Sequence, residues 1–268
     1  MKILLPSKEY SLMESKFTER QRKEELYHDA AHKAGVVKRG HLNAGNTSFF
    51  KCFCELIGEV TGLTILEIGC GSGWFGTQLA HRGAKVHGID ISGEVIQEAL
   101  RESEKQDCAD KAVFHKMAVE DLTFENNYFD LVVGSAILHH TDIRLAMTNI
   151  CRVLAPEGKA IFVEPLNENL ALKIWRKLTP WRRSPTERAL IKDDLKYIQN
   201  VFPGAVYYYF GFTSMVSMGL LMYFPENGIL IWMNKNLERL DEVISKRYPR
   251  LGHYFAVVVM DLKKKMEC

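Results

Sequence analysis

The chain has no marked excess of charge of either sign: 35 Lys and Arg against 33 Asp and Glu leave a formal net charge of +2. Proteins built to grip a nucleic-acid backbone carry a far more basic face, so no nucleic-acid partner is expected. Disulfide spacing is also missing. Cys52, Cys54, Cys70, Cys108, Cys151 and Cys268 form no framework, and Cys52-Phe-Cys54 has neither the two-residue gap of a zinc knuckle nor a second pair to complete one. Reduced thiols, no metal site and a cytoplasmic location are therefore expected. The run Ile3-Leu4-Leu5 is cut by Pro6 and is too short for a secretory leader. One long uncharged run does exist, from Tyr197 to Pro225. Its length would span a bilayer, but Pro203-Gly204, Tyr207-Tyr208-Tyr209, Thr213, Ser214 and Ser217 break its texture. A strand followed by a buried or lipid-facing helix is expected there, which leaves peripheral membrane contact open. Internal repeats and low-complexity tracts are absent.

What is present is an alternation. Its 268 residues, 47% of them hydrophobic, suit one large α/β domain better than two. Short apolar or β-branched runs at Thr64–Ile68, Lys85–Ile89, Val113–His115, Leu131–Val133 and Ala160–Val163 read as strands. Helix-length segments lie between them at Trp74–Arg82, Gly93–Gln106 and Ile143–Leu154. This pitch predicts a parallel sheet wound on both faces. Residues 8–33 and Phe49–Val60 read as helices before the first strand, separated by a Gly/Asn/Ser-rich loop. After Glu164 the pattern changes to helical character over 167–200, a strand near Val206–Phe210, helix over 213–247 and a last strand His253–Leu262. The last two strands, joined without a crossover, are expected to pair antiparallel.

The most informative segment is Ile65-Leu66-Glu67-Ile68-Gly69-Cys70-Gly71-Ser72-Gly73-Trp74-Phe75-Gly76. An apolar strand runs through alternating glycines into a helix, the arrangement that lets a nucleotide approach the backbone at a helix start. Gly71-Ser-Gly73-Trp-Phe-Gly76 matches the dinucleotide pattern G-x-G-x-x-G literally. Glu67, however, stands two residues before the first glycine, where a carboxylate would repel a pyrophosphate and attract a cation. Such a difference is worth about 4 kcal/mol at 4 Å and an effective dielectric of 20. The next strand ends in Asp90, roughly 20 residues past the loop, where a carboxylate can accept both ribose hydroxyls. An N-cap role for Asp90 or Ser92 is compatible with that.

Taken together, Glu67-Ile-Gly69-Cys-Gly71-Ser-Gly73 and Gly88-Ile-Asp90-Ile-Ser92 resemble the first two motifs of class I S-adenosylmethionine-dependent methyltransferases, of the small-molecule, type 11 kind. Val119-Glu120-Asp121-Leu-Thr-Phe124 resembles the segment that edges the adenine, Phe129–His140 the fourth strand and its exit, and Arg152–Pro165 the turn and fifth strand. The resemblance runs in order over residues 63–165. It implies a Rossmann-like, doubly wound α/β sheet of seven strands, mostly parallel with an antiparallel C-terminal strand. It also implies S-adenosylmethionine as cofactor, with S-adenosylhomocysteine as product and a small molecule as acceptor. The cofactor contacts it implies are Glu67, Gly69, Cys70, Gly71 and Gly73, then Asp90 and Ile91, then Val119 and Glu120, and Ser135. Ala118 stands where many relatives carry an acidic residue at the adenine, so Glu120 or Asp121 is expected to take that task. Tyr27-His28-Asp29-x-x-Ala resembles an N-terminal helix folded over the cofactor, which makes residues 1–62 a cap. The domain then spans 63–268, with substrate-pocket insertions expected at 165–200 and 213–252.

Methyl transfer is an in-line displacement on an activated carbon, so the protein chiefly aligns the reactants and excludes water. A base is needed only where the nucleophile must lose a proton. His139 and His140 leave the fourth strand at the crevice where doubly wound folds bind ligands, and either could serve; packing or helix capping is the alternative. His28 is a further candidate, against a solvated helix-face histidine, and Glu164 could face the pocket or end its strand. Arg176, Lys177, Arg182 and Arg183 could hold an anionic substrate group, or form a solvated or lipid-facing surface. The Tyr207–Phe212 aromatics read as core. No tyrosine has a lysine four residues on, which removes one common dehydrogenase pair. Ser135-Ala-Ile-Leu-His-His replaces the Asn/Asp-Pro-Pro-aromatic loop frequent in nucleic-acid methyltransferases. A nucleotide-dependent oxidoreductase and a non-catalytic scaffold remain the competing readings. The atom methylated and the oligomeric state are not legible.

Overall fold

The computed structural model describes residues 17–34, 47–179, 184, 186–221 and 223–265. Two helices come first, α1 (Glu19–Lys33) and α2 (Ser48–Ile57). The alternating part runs β1 (Thr64–Ile68), α3 (Trp74–His81), β2 (Lys85–Asp90), α4 (Gly93–Lys105), β3 (Ala112–Lys116), β4 (Phe129–Ser135), α5 (Ile143–Val153) and β5 (Leu154–Pro165). The C-terminal part runs α6 (Leu170–Leu178), α7 (Lys192–Val201), β6 (Val206–Phe210), α8 (Met215–Leu221), α9 (Gly228–Arg247) and β7 (Val257–Lys263). All seven strands form one sheet in the order β3-β2-β1-β4-β5-β7-β6. The first five are mutually parallel, and β7 runs antiparallel to both β5 and β6. The doubly wound α/β sheet expected from the alternation is present, with the antiparallel strand at its C-terminal side.

Successive residues of a strand point to opposite faces, and here both faces are covered. Ile65 packs with Phe53, Leu79, Ile96 and Leu131 on one face, while Leu66 packs with Ile150, Val132, Phe162 and Met260 on the other. This is why the strands read as nearly continuous apolar runs rather than alternating ones. The order reverses beside β1, between β2 and β4, and the chain ends of these strands open the crevice in which doubly wound folds bind ligands.

Local signals set the helix starts. Thr18 and Gln21 form a reciprocal capping box at α1. The Asp142 carboxylate accepts from the N–H groups of Arg144 and Leu145 at α5. Buried Asn169 caps α6 and also donates to the carbonyls of Gly211 and Tyr254, at 3.1 and 3.0 Å. Asp241, buried on α9, accepts from the N–H groups of Phe212, Thr213 and Ser214, which clamps the α8–α9 insertion to the end of β6.

Some expectations hold and others need correction. The uncharged run from Tyr197 holds, as expected, a strand and a following helix, β6 and α8, after the end of α7. Among the described residues no helix is long and apolar enough to cross a membrane. The last strand begins at Val257 rather than His253, because Pro249–Tyr254 turns as a 3-10 helix whose Gly252 lies against the Tyr209 ring with no room for a side chain. The helical region expected around 213–247 consists of two helices, α8 and α9. Cys52, Cys54, Cys70 and Cys108 are free thiols. Residues 8–16, the loop at 35–46, Arg182, Arg183 and Cys268 lie outside the described residues.

Away from the crevice, His87 on β2 stacks on His115 on β3, with 5.7 Å between ring centroids, and both meet Phe124. Burial lowers the pKa of both, and the neighbouring His87 lowers that of His115 further. The fold thus favours the neutral rings. Their contribution to stability is complete above the unfolded value of about 6.5 and is lost as pH falls below it through the lowered folded values. Replacing both by phenylalanine is expected to flatten the decline of Tm between pH 7.5 and 5. An identical decline in the variant would remove the pair as its cause.

Candidate active site

A cleft of about 240 Å³ lies at the carboxyl ends of β1, β2 and β4. Its floor is the turn after β1. Gly69 takes φ +69°, and a Cβ there would come within 2.8 Å of the Ile137 side chain, so the turn closes only with glycine. Asp90, at the end of β2, accepts from the N–H of Gly71 at 3.1 Å and of Ser92 at 2.9 Å. Burial raises its pKa against the opposing hydrogen bonds from Ser92, Gly71 and Ile91 and the nearby His28. The walls are largely apolar: Ile68, Ile89, Ile91, Val95, Met117, Val119 and Ile137.

Helix α1 crosses the mouth. Its Asp29 accepts from the Ser92 hydroxyl, Glu25 pairs with Lys116 at 2.6 Å, and Arg20 pairs with Glu120. Arg20 also donates to the backbone carbonyl of His140. Deeper in the same contact, Glu24, His28 and His140 meet. The Glu24 Oε2 atom is 3.0 Å from His140 Nδ1 and 3.4 Å from His28 Nε2. Its Oε1 accepts from the hydroxyls of Ser184 (2.7 Å) and Thr186. Burial pushes the Glu24 carboxyl up, but these four bonds outweigh it and hold Glu24 far below the usual carboxylate range. For His28, burial opposes protonation yet the Glu24 bond and nearby Asp90 leave its pKa raised. Burial dominates at His140, whose pKa is lowered. The far nitrogen of His140, Nε2, lies 3.7 Å from Glu187, which Arg176 on α6 holds at 2.9 Å.

Of the residues singled out in the sequence, Gly69, Gly71, Asp90, Ile91, Val119, Glu120, Ser135, His28 and His140 line this cleft. Glu67, Cys70, Gly73 and His139 do not. Gly73 starts α3 with φ +77° and packs against Phe114 and Ala99. The Cys70 thiol is buried and near the Gly71 carbonyl. Glu67 lies beneath the turn against Gly76, its Oε2 atom buried without a hydrogen-bond partner among the described residues, and burial pushes its pKa up to about 8. The charge assumed for it in the sequence argument is therefore largely suppressed near neutral pH. Glu120 reaches the cleft, but its carboxylate also accepts from Gln21 and the Asp142 N–H. Asp121 does not line it.

The turn after β4 is organised by Glu164, which is wholly buried and accepts from the N–H groups of Ile137 (2.8 Å) and Leu138 (2.7 Å) and contacts His139 Nδ1 at 2.8 Å. Glu164 thus neither faces the cleft nor merely ends its strand. Ala136 adopts φ +54° in this turn, re-aiming the following residues so that His140 alone of the histidine pair reaches the cleft. Arg176 is paired with Glu187 rather than free for an anion. Residues of the 213–252 insertion line a second cleft with β6, about 760 Å³ in volume, that includes Tyr208, Lys235 and Arg239. Sequence reasoning missed Glu24, Glu187, Ser184 and Thr186. Glu24 was recoverable, since it stands four residues before His28 and so shares its helix face; the other three carry no local signal.

The same strand–helix core is found in known proteins. A family model described as "Methyltransferase domain" matches residues 66–162. The "Ubiquinone biosynthesis O-methyltransferase" of Nitrosomonas europaea is 33% identical over 119 residues, covering 43% of this chain and 48% of that protein. The chain spans about half the length of the curated relatives it matches. Among solved structures, a geranyl diphosphate C-methyltransferase from Streptomyces coelicolor, in complex with Mg2+, geranyl diphosphate and S-adenosyl-L-homocysteine, aligns with TM-score 0.57 at 12% identity, over 80% of this chain and 77% of that one. The [4+2]-cyclase SpnF aligns with TM-score 0.56 at 16% identity, over 80% and 81%. At such identities the likeness extends to the fold alone.

Proposed function

We propose that this chain, whose core is a class I S-adenosylmethionine-dependent methyltransferase domain, moves a methyl group from that cofactor to a hydroxyl of an apolar small molecule. The observation that carries the reading is the cleft itself. Asp90 is presented at its floor by two backbone N–H groups, apolar side chains suit an adenine, and the lining carboxylates Glu24, Asp90 and Glu120 face a single formal cation, Arg20. That balance suits a ligand carrying a sulfonium and an ammonium and disfavours a pyrophosphate, against the oxidoreductase reading. Gly69, Gly71, Asp90, Ile91, Val119, Glu120 and Ser135 would hold the cofactor, with Glu67, Cys70 and Gly73 supporting the turn from below. When bound, S-adenosylmethionine supplies a methyl group already activated by its sulfonium.

The chain's own residues then have three tasks. Helix α1 closes the mouth and excludes water, through Asp29, Glu25 and Arg20. His140 and His28, set by Glu24, face the acceptor's hydroxyl and facilitate loss of its proton. The apolar preference is supported by α6, where Leu170, Ile174 and Leu178 recur every fourth residue on an exposed face. Tyr223 meets α6 through a ring contact with Trp175, and Val216, Leu220, Phe224 and Trp232 are exposed as well. Arg176 ties α6 to Glu187 and so to His140 from the side of the helix away from this apolar face, which leaves the face free to meet an apolar acceptor or a membrane surface.

Methyl-labelled S-adenosylmethionine, supplied to the purified protein with a whole-cell extract, is expected to give label in the organic phase. Label confined to the aqueous phase would reassign the acceptor to a polar molecule. Label transferred to nothing, from extracts of several growth conditions, would sink the reading.

A further inference from the structure

The contact between α1 and the turn after β4 has the form of a metal site. We propose that Glu24, His28 and His140 bind one divalent cation of the zinc class, with a fourth position open to the cleft. Two imidazoles and a carboxylate with one open position form a recurrent catalytic zinc set. Ligands in a tetrahedral site with bonds of about 2.0–2.1 Å stand about 3.3–3.4 Å apart. Here Glu24 Oε2 lies 3.0 Å from His140 Nδ1 and 3.4 Å from His28 Nε2, and all three atoms are within 4.8 Å of one another. Two of the three donors are also oriented from behind. The hydroxyls of Ser184 and Thr186 occupy Glu24 Oε1, which turns Oε2 toward the imidazoles. His140 points Nε2 at Glu187, 3.7 Å away, and Arg176 fixes Glu187 in turn, the carboxylate–histidine arrangement that sets tautomer and ring angle behind a metal ligand. His139, His140 and Glu187 also lie close enough to share an ion, but His139 and Glu187 do not line the cleft.

What the cation would do rests on the proposed function: it would lower the pKa of an acceptor hydroxyl reaching the fourth position, with the proton released to water. Its binding does not rest on that function and is tested alone. Untagged full-length protein, stripped with a chelator, is titrated with Co2+ followed by absorption, and with Zn2+ against a chromophoric competitor. One ion per chain is expected. Glu24→Gln, His28→Ala and His140→Ala should each weaken Zn2+ binding more than about 100-fold, and Glu187→Gln by about 10- to 100-fold. S-adenosylhomocysteine binding and thermal unfolding of each variant control for folding. Glu24→Gln, which keeps the side chain's shape, covers the case in which a histidine variant fails to fold. Stripped protein that takes up no ion, or ion uptake unchanged in Glu24→Gln, overturns the site. Methyl transfer persisting at full rate in metal-free protein would overturn the role given to the cation at the acceptor hydroxyl, while leaving the proposed function standing.

Discussion

Replacing Asp90 with alanine is expected to weaken S-adenosylhomocysteine binding by at least about 100-fold, measured by calorimetry. Hydrogen bonds to a charged group contribute about 1.5–3 kcal/mol each, and two ribose hydroxyls would lose such a partner, so about 3–6 kcal/mol is at stake. Burial raises the pKa of Asp90, but its removal also strips the Gly71 and Ser92 N–H groups of their acceptor, so a lower Tm is expected beside the loss of binding, and thermal unfolding separates the two. Gly71→Val should act on the same site by another route: at φ +51° a β-branched residue is strained, and its side chain would enter the cleft. If both variants bind within a few-fold of the parent, the cofactor is not where this geometry puts it.

His140→Ala is expected to lower turnover by about 10²- to 10⁴-fold, the range of a lost proton-transfer group, while cofactor affinity changes far less. Glu24→Gln should follow the same split, because its Oε2 orients both His140 and His28. His139→Ala is expected to behave differently. Its ring faces buried Glu164 rather than the cleft, and Glu164 would lose one partner while keeping the Ile137 and Leu138 N–H groups. The result should be a lower Tm, by a cost on the order of 1–3 kcal/mol, with a smaller effect on turnover. Steady-state rates measured beside thermal unfolding separate the two residues; equal turnover losses with equal Tm would overturn their assigned roles.

Much of this protein was legible from order along the chain. The strand–helix pitch of residues 64–165 specified a doubly wound sheet, because a parallel strand buried on both faces must be apolar throughout and must be followed by a crossover helix. The glycine turn and Asp90 were legible for the same local reason: a turn that brings the backbone to a ligand needs positive φ, and the carboxylate follows at the end of the next strand. Three matters were decided only in three dimensions. Glu67, read as a charge facing the ligand, is buried beneath the turn, because strand residues alternate faces and its face is the one that α3 covers at Gly76. His139 and His140, adjacent and equivalent in sequence, are told apart only by their carboxylates, His139 meeting buried Glu164 and His140 meeting Glu24 at the cleft. The meeting of Glu24 with His140 and Ser184, more than a hundred residues apart, was not encoded by any local spacing. The local chain determined where a cofactor could be cradled, since backbone dihedral preference acts over a few residues. The groups that would act on the acceptor come from distant segments, and packing α1 across the mouth is what brings them together.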